Sequence, residues 1–275
     1  MTEEKRIILN GESHIVVISD EPEALLAAKA AGRAVVAVDA SLGTAAMAES
    51  EDALSMAGSK DIPGLPGEAL RGVSYAVPDF ADATEELAEL VLRRHLGLPW
   101  QIGETEHLIL RELAAEDAEH IPEEEYGAEE KIFRSRELLE RYIKNQYGFY
   151  EYGIWAVVEK RTGRLAGLAG VSNPNLPPEA EAFLAAAGEN GPDACPWLEL
   201  GYHIFRPFRR MGYGREAVRE AADYAQEVLD VGLCALIHRD NKASRCLAEG
   251  LGMVPIAEID TGLSAGHLLY VKNRK

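Results

Sequence analysis

The feature that most constrains this chain is a loop of arginines and glycines that joins a predicted strand to a predicted helix. The loop reads Phe205-Arg206-Pro207-Phe208-Arg209-Arg210-Met211-Gly212-Tyr213-Gly214-Arg215. Before it, apolar side chains alternate with polar ones over residues 197–204, which predicts a strand. After it, apolar side chains recur at helical spacing over residues 216–229, which predicts a helix. The strand therefore leads through the loop directly into the helix.

A loop of this composition is suited to a phosphate-bearing ligand. Glycines let backbone N–H groups approach a ligand closely, and the N terminus of a helix favours negative charge. Arg209, Arg210 and Arg215 add guanidinium groups that suit phosphate oxygens. The sequence therefore predicts a phosphate ligand, and most economically a pyrophosphate.

Two blocks of sequence carry a resemblance to a known family. The pattern Arg209-x-x-Gly212-x-Gly214 resembles the acetyl-CoA pyrophosphate signature of the GNAT family of N-acetyltransferases. A second block, Asn241-Lys242-Ala243-Ser244-Arg245 followed by Gly250-Leu251-Gly252-Met253, resembles the Asn-x-x-Ser helix of the ribosomal-protein N-acetyltransferase branch. One glycine-rich loop would be a weak signal, but two blocks in order, in matching strand and helix contexts, form a specific one.

The resemblance implies an α/β (α+β) fold with two domains. Residues 101–275 are expected to form the GNAT domain, a mixed and mostly antiparallel sheet flanked by helices. Residues 1–100 predict a small domain of their own, because buried strands at 13–20 and 33–39 flank a helix at 21–32, a pattern typical of a parallel β-α-β unit.

The first domain weakly resembles a fragment of the haloacid-dehalogenase-like phosphatases. Those enzymes need an Asp-x-Asp at a strand end, whereas Asp20 is followed by Glu21-Pro22 and Asp39 by Ala40-Ser41. Without paired carboxylates there is no evident nucleophile, acid or magnesium site. We expect a non-catalytic role, and phosphate-ester hydrolysis stays as a minor alternative. The composition of residues 41–67 predicts an irregular connection.

Several further elements are predicted in the transferase part. Strands are expected at 107–113, 154–159 and 165–171, the last two as an antiparallel pair, a helix at 131–146, and an insertion at 173–195 containing a short helix at 179–187. Residues 147–153 are unusually aromatic. In the family this region borders the acceptor, and an ordinary packed turn is an equally weighted alternative.

Composition excludes some classes of function. The net charge of −18 argues against a nucleic-acid surface and weakly favours a cationic acceptor, and the favoured alternative is that the charge only aids solubility. The three cysteines form no C-x-x-C pattern, which argues against a zinc site or a disulfide framework, and Cys234 and Cys246 are expected to be packed thiols. No apolar run approaches the length of a membrane span, so a cytoplasmic protein without a membrane partner is expected.

The resemblance also implies a set of site residues. Free N–H groups of the central strand near Tyr202 to Phe205 would hold the pantetheine and the thioester carbonyl of acetyl-CoA. Asn241 would bond the pantetheine or the sulfur region, with Ser244 beside it. The implied cofactor-binding set is His203, Ile204, Phe205, Arg209, Arg210, Met211, Gly212, Tyr213, Gly214, Arg215, Asn241, Ser244 and Arg245. No metal ligand is predicted.

Glu199, Tyr202 and Ser244 are the candidate catalytic residues. Glu199, on the central strand, is the candidate base, and a carboxylate paired with a nearby arginine is the alternative interpretation. Tyr202 and His203 point to opposite faces of that strand, so at most one of them faces the reaction centre. Some members of the family use a tyrosine seven residues after the asparagine as the acid, but that position is Ala248 here. Ser244 or water would then have to protonate the leaving thiolate, unless it leaves unassisted.

The expected activity is acetyl transfer from acetyl-CoA to a primary amine, by direct attack in a ternary complex. The acceptor is either a protein N terminus or a small-molecule amine, and the sequence leaves this choice open. The alternative is a non-catalytic module that senses acyl-CoA and uses its N-terminal domain to bind a partner. A homodimer is common among such enzymes and stays an open expectation.

Overall fold

The structure is a computed structural model that describes residues 1–42, 73–125, 132–187, 196–260 and 266–274. The chain divides into two compact units, Met1–Trp100 and Gln101–Lys275. Most of the connection predicted at 41–67, and Cys195, lie outside the described residues.

In its described residues, the first unit contains a four-stranded sheet and two complete α-helices. Its elements are β1 (Thr2–Leu9), β2 (Glu12–Ser19), α1 (Pro22–Ala30), β3 (Ala34–Val38), β4 (Ala76–Val77) and α2 (Glu85–His95). The strands lie in the order β1-β2-β3-β4, and β2, β3 and β4 are parallel. The predicted parallel β-α-β unit is therefore confirmed.

Strand β1, which pairs antiparallel with β2, was missing from the sequence prediction. Its first residues are polar, but Ile7 and Leu9 alternate into the core. The turn that joins the two strands is Asn10-Gly11, and both residues have positive φ, 52° and 82°. Such a pair matches the twist of a two-residue hairpin, so the signal for β1 was present in the sequence.

The second unit is built on one eight-stranded sheet. Its elements are β5 (Gln101–Glu104), β6 (Leu108–Arg111), α3 (Arg136–Phe149), β7 (Ile154–Glu159), β8 (Leu165–Ser172), α4 (Pro178–Ala187), β9 (Trp197–Ile204), α5 (Tyr213–Glu227), β10 (Gly232–His238), α6 (Lys242–Gly250), β11 (Val254–Ile259) and β12 (His267–Lys272). The strand order is β11-β12-β10-β9-β8-β7-β6-β5. In the described residues of this sheet, β9 and β10 form the one parallel pair, and the other six pairs are antiparallel. The predicted mixed, mostly antiparallel sheet is confirmed.

Helix α5 covers one face of this sheet with small side chains. Ala217, Ala221 and Ala225 are fully buried, and the ring of Trp155 from β7 packs edge-on against Tyr224. The helix begins at Tyr213, three residues before the predicted start. The reason is that Gly212 adopts a left-handed φ of 87°, which lets the chain turn from the loop into the first helical residue.

A buried tyrosine holds α3 to the start of β7 and to the residues after β6. The hydroxyl of Tyr147 donates to the carbonyl of Ile154 at 2.5 Å and accepts from the N–H of Leu113 at 3.1 Å. Burial raises the pKa of Tyr147 well above its ordinary value. Since a neutral hydroxyl both donates and accepts, one side chain satisfies two buried backbone groups.

Replacing Tyr147 by phenylalanine is expected to lower the free energy of unfolding by about 1–3 kcal/mol, because it leaves those buried groups without partners. Urea denaturation followed by circular dichroism would measure the change. Tyr150→Phe is the matched control, since Tyr150 is exposed. Equal stability of the two variants would contradict this role of the Tyr147 hydroxyl.

No helix in the described part of the chain has both the length and the apolar character needed to cross a membrane.

Candidate active site

The central feature of the second unit is an opening in its sheet between β9 and β10. The two strands pair only at their start, where Trp197, Leu198 and Glu199 lie opposite Gly232, Leu233 and Cys234. Beyond this point the described residues of β9 pair only with β8, and those of β10 only with β12. The opening therefore exposes the inner edges of both strands, which is the arrangement that the family resemblance implied for the central strand.

Strand alternation decides which β9 N–H groups face the opening. The N–H of Phe205 donates to Ala166 of β8 at 2.9 Å, and in an antiparallel pair alternate residues bond to the partner. His203 therefore also directs its N–H to β8. Tyr202 and Ile204 direct theirs to the opening. The predicted set of four donors is corrected to these two, because β8 uses the other two.

The arginine-glycine loop presents a row of unused donors. The N–H groups of the five residues 210–214 make no hydrogen bond to any described residue. Arg210 and Gly212 both have positive φ, 64° and 87°. Successive N–H groups in such alternating conformations form a concave anion site, here at the start of α5. A non-glycine residue in the left-handed region is also typical of functional sites.

The two glycines of the loop leave space at this site. A Cβ atom added at Gly212 would meet nothing within 4 Å. One added at Gly214 would lie 3.5 Å from Leu247 Cδ1 and 3.7 Å from Ile204 Cγ1, so it points between α6 and the end of β9. Both glycines therefore border the open region.

The arginines of the loop differ in their surroundings. Arg210 is exposed beside the exposed Met211, whereas Arg209 Nε donates to the carbonyl of Ile204 at 2.7 Å and its Nη2 donates to Glu125 at 2.9 Å. Arg209 Nη1 has no partner among the described residues. Glu125 is a contact that the sequence analysis missed, because no motif connects it to the loop.

A groove of about 240 Å³ lies between α5 and α6. Its lining includes Arg215 and Arg219 from α5 and Cys246 and Leu247 from α6.

Cys246 is exposed, so the expectation of a packed thiol is wrong there, whereas Cys234 is buried as expected. Burial raises the pKa of Cys234 to about 12.

The start of α6 forms the wall opposite β9. Asn241 caps the helix, since its Oδ1 accepts from the N–H of Ser244 at 3.1 Å. The hydroxyl of Tyr202 donates to the carbonyl of Ser244 at 3.1 Å, and burial raises the pKa of that tyrosine. Asn241 Nδ2 and Ser244 Oγ make no hydrogen bond within the described part of the chain. The structure thus brings Tyr202, Asn241 and Ser244 together.

Two predicted cofactor side chains point elsewhere. The ring of Tyr213 is buried, and its hydroxyl donates to Glu159 at 2.7 Å, so only its N–H belongs to the loop site. Arg245 bonds the hydroxyl of Tyr270 at 3.3 Å and the carbonyl of Arg239 at 3.1 Å. In this structure Arg245 therefore braces the turn before α6.

Glu199 lies on the face of β9 opposite Tyr202, since the two are three residues apart on one strand. Its Oε2 accepts from the N–H of Asn175 at 3.1 Å. Burial raises the pKa of the Glu199 carboxyl, and the bond from Asn175 opposes this shift. No arginine or lysine of the described residues pairs with it. The alternative of an arginine-paired strand carboxylate is therefore not what the structure shows.

Aromatic side chains lie between the end of α3 and the start of β7, and one of them contacts the segment after β8 that bonds Glu199. The hydroxyl of Tyr152 donates to Asn173 at 2.6 Å, two residues before the Asn175 N–H that bonds Glu199. Phe149 and Tyr150 are exposed, and their rings are 4.7 Å apart. Tyr147 is a packed core residue, whereas Phe149 and Tyr150 are exposed, so the segment is packed only in part, and its place beside the acceptor stays a prediction.

Comparison with solved structures gives several similar folds of low identity. An acetyltransferase of ribosomal protein S5 alanine from Vibrio fischeri is 18% identical over 64% of this chain and 97% of its own, with a TM-score of 0.48. A spermidine N-acetyltransferase from Vibrio cholerae is 15% identical over 62% and 95%, with a TM-score of 0.46. A GNAT-family acetyltransferase from Bacillus anthracis is 16% identical over 62% and 97%, with a TM-score of 0.44.

The family model described as acetyltransferase (GNAT) domain matches residues 107–254. This range contains β9, the arginine-glycine loop, α5, β10 and α6, which together build the opening and its walls. Because the match covers more than half of the 275 residues, the chain belongs to the GNAT acetyltransferase family.

Proposed function

We propose that this acetyltransferase moves an acetyl group from acetyl-CoA to a primary amine, with both substrates bound at once and the amine attacking directly. The observation that carries the proposal is the row of five N–H groups at residues 210–214 that bond no described residue, in the loop that follows β9. Acetyl-CoA, which GNAT enzymes use as a general rule, supplies an acetyl group already activated as a thioester.

The residues present suit such a molecule. The N–H groups of the loop and the exposed Arg210 suit the pyrophosphate. The N–H groups of Tyr202 and Ile204, together with Asn241 Nδ2, offer donors to the amide oxygens of an extended arm in the opening. Arg215 and Arg219 add positive charge along the groove between α5 and α6. Phe205, the Tyr213 ring and Arg245 have no part in this proposal.

Glu199 is proposed as the general base that takes a proton from the amine. A base works best when its pKa lies near the working pH, and burial raises the pKa of Glu199 in that direction. Asn175 holds one oxygen of the carboxylate, and the other makes no hydrogen bond to a described residue. The acceptor would approach past Tyr152, Phe149 and Tyr150.

The leaving thiolate requires little assistance, because a thiol of pKa about 8.5 is a tolerable leaving group. Ser244 Oγ is unbonded in the described structure, so it is free to donate a proton on the cofactor side of β9. Tyr202 donates its own proton to the Ser244 carbonyl, and its proposed role is to hold that turn in place.

The direct test is the release of CoA from acetyl-CoA in the presence of a panel of amines. The panel contains peptides with free N termini, the same peptides with blocked N termini, and small diamines. Release that requires a free amine supports the proposal and identifies the acceptor class. Tight binding of acetyl-CoA without turnover on any amine would favour the alternative of a sensing module.

The rate should depend on pH through Glu199. Since only the ionised carboxylate accepts a proton, kcat/KM is expected to fall as the pH drops through a pKa above 4.5, the ordinary value. Titration of the acceptor amine adds a second dependence. Measuring the pH profile with two acceptors whose amine pKa values differ would separate the two dependences. The part of the profile due to the amine should shift between acceptors, and the part due to Glu199 should stay in place. A profile in which every limb follows the acceptor would argue against Glu199.

Arg210 is expected to contribute to affinity rather than to rate. Arg210→Ala should weaken acetyl-CoA binding about 5- to 30-fold, as the loss of one charge-assisted phosphate contact of about 1–2 kcal/mol implies. Calorimetric titration with acetyl-CoA and with CoA would measure this. Arg206→Ala is the control, since Arg206 is an exposed arginine of the same loop. Its backbone N–H donates to Glu125, and the alanine variant keeps that bond. Equal losses in both variants would point to general charge instead of a specific contact.

A further inference from the structure

One buried carboxylate lies outside every motif of the sequence and contacts the end of β9. Glu125 ends a short helical turn, Glu123–Glu125, and its side chain is only 3% exposed. Its Oε1 accepts from the N–H of Arg206 at 2.7 Å. Its Oε2 accepts from Nε2 of His203 and from Nη2 of Arg209, both at 2.9 Å. Three donors therefore converge on one carboxylate.

These contacts keep the carboxylate ionised. Burial opposes ionisation of Glu125, but the bond from the Arg206 N–H and the contacts with His203 and Arg209 outweigh it, so the pKa of Glu125 is lowered. A buried charge is costly unless it is paired and hydrogen-bonded, and hydrogen bonds to an ionised group are stronger than neutral ones. The ionised carboxylate therefore holds the Arg206 N–H, the His203 ring and the Arg209 guanidinium in defined positions.

All three partners of Glu125 lie at the end of β9 or in the first residues of the arginine-glycine loop. Arg209 also donates to the carbonyl of Ile204, whose N–H faces the opening. Arg210, which follows Arg209, begins the row of N–H groups that bond no described residue, and it has a strained positive φ of 64°. A strained conformation persists only where neighbouring contacts stabilise it. The hydrogen bonds made by Glu125 and Arg209 lie immediately before Arg210 and supply such contacts.

We propose that Glu125 is a positioning residue for the cofactor site. By holding the Arg206 N–H and the Arg209 guanidinium, it keeps the loop N–H groups convergent before the ligand binds, which lowers the cost of binding. Arg209 then acts largely by shaping the loop. This inference rests on the proposed function, because it assumes that the loop binds acetyl-CoA.

The test is calorimetric titration and steady-state kinetics of Glu125→Gln. A glutamine has the same shape but only one acceptor oxygen, so it cannot accept from all three donors. We expect the Kd and the KM for acetyl-CoA to rise about 10- to 100-fold, while kcat at saturating acetyl-CoA and the KM for the amine stay within about twofold. The matched control is Glu119→Gln, because Glu119 is exposed and makes only a 3.6 Å ion pair with Arg136.

A double-variant cycle tests the route. If Glu125 acts through Arg209, then Glu125→Gln should weaken binding far less in an Arg209→Ala background than in the wild type. Should Glu125→Gln fail to fold, Glu125→Asp keeps the charge but shortens the reach, and a smaller loss of affinity of the same kind is expected.

The inference is overturned if Glu125→Gln binds acetyl-CoA as the wild type does, or if it lowers kcat instead of affinity. Wild-type protein that binds no acetyl-CoA would overturn the proposed function itself. The wild-type titration therefore distinguishes the two failures.

Discussion

Glu199→Gln is expected to lower kcat by about 10²- to 10⁴-fold, the usual contribution of a general base. The Kd for acetyl-CoA should stay within about twofold, because Glu199 lies on the face of β9 opposite Tyr202, which contacts Ser244 on the proposed cofactor side. Glutamine can still accept the hydrogen bond from the Asn175 N–H, so the local structure should persist.

Steady-state rates at saturating acetyl-CoA would measure this effect. Glu181→Gln provides a matched control, since Glu181 is an exposed carboxylate in the first turn of α4. A kcat within threefold of the wild type would remove Glu199 from the catalytic role. Another proton acceptor would then have to be found on the same face.

Replacing Gly214 by valine should reduce the affinity for acetyl-CoA at least 100-fold. A side chain at this position projects between Leu247 and Ile204, which is the space that the ligand arm would occupy. The smaller Gly214→Ala should already weaken binding, although its Cβ meets protein atoms only at 3.5 Å and beyond.

The alanine variant separates binding from folding. Alanine is a better helix former than glycine, so the free energy of unfolding should stay the same or rise by up to about 1 kcal/mol. Gly148→Ala on α3 is the control, because an added Cβ there meets nothing within 4 Å. Unchanged acetyl-CoA affinity in Gly214→Val would show that the opening is not the binding site.

Local patterns predicted the parts of this fold that depend on local chemistry. Alternation over residues 197–204 predicted β9 with both ends correct, and helical spacing predicted α5 apart from its first turn and with an end two residues too late. That turn was missed because Gly212 and Tyr213 looked like loop residues, and the burial of the Tyr213 ring against Glu159 is a tertiary contact. The turn residues Asn10-Gly11 indicate a hairpin, but the polar first residues of β1 hide the alternation that would predict its first strand.

The site was predictable only where it is contiguous. The loop and the start of α6 follow from two motifs, but the choice between the N–H groups of Tyr202 and His203 depends on the register of β9 with β8. Glu125 could not be found, because its partners lie about 80 residues further along the chain. Only folding brings that carboxylate to the loop.

The short pairing of β9 with β10 also has a mechanical consequence. Direct strand pairing across the opening is limited to three residue pairs, and α5, α4 and the bond from Tyr202 to Ser244 add to them. An elongated ligand in the opening would bridge this seam as a substitute strand. Acetyl-CoA at 100 times its Kd would then raise the free energy of unfolding by about 2.7 kcal/mol. Amide hydrogen exchange should slow most at Tyr202 and Ile204, so the ligand would complete the sheet as well as react within it.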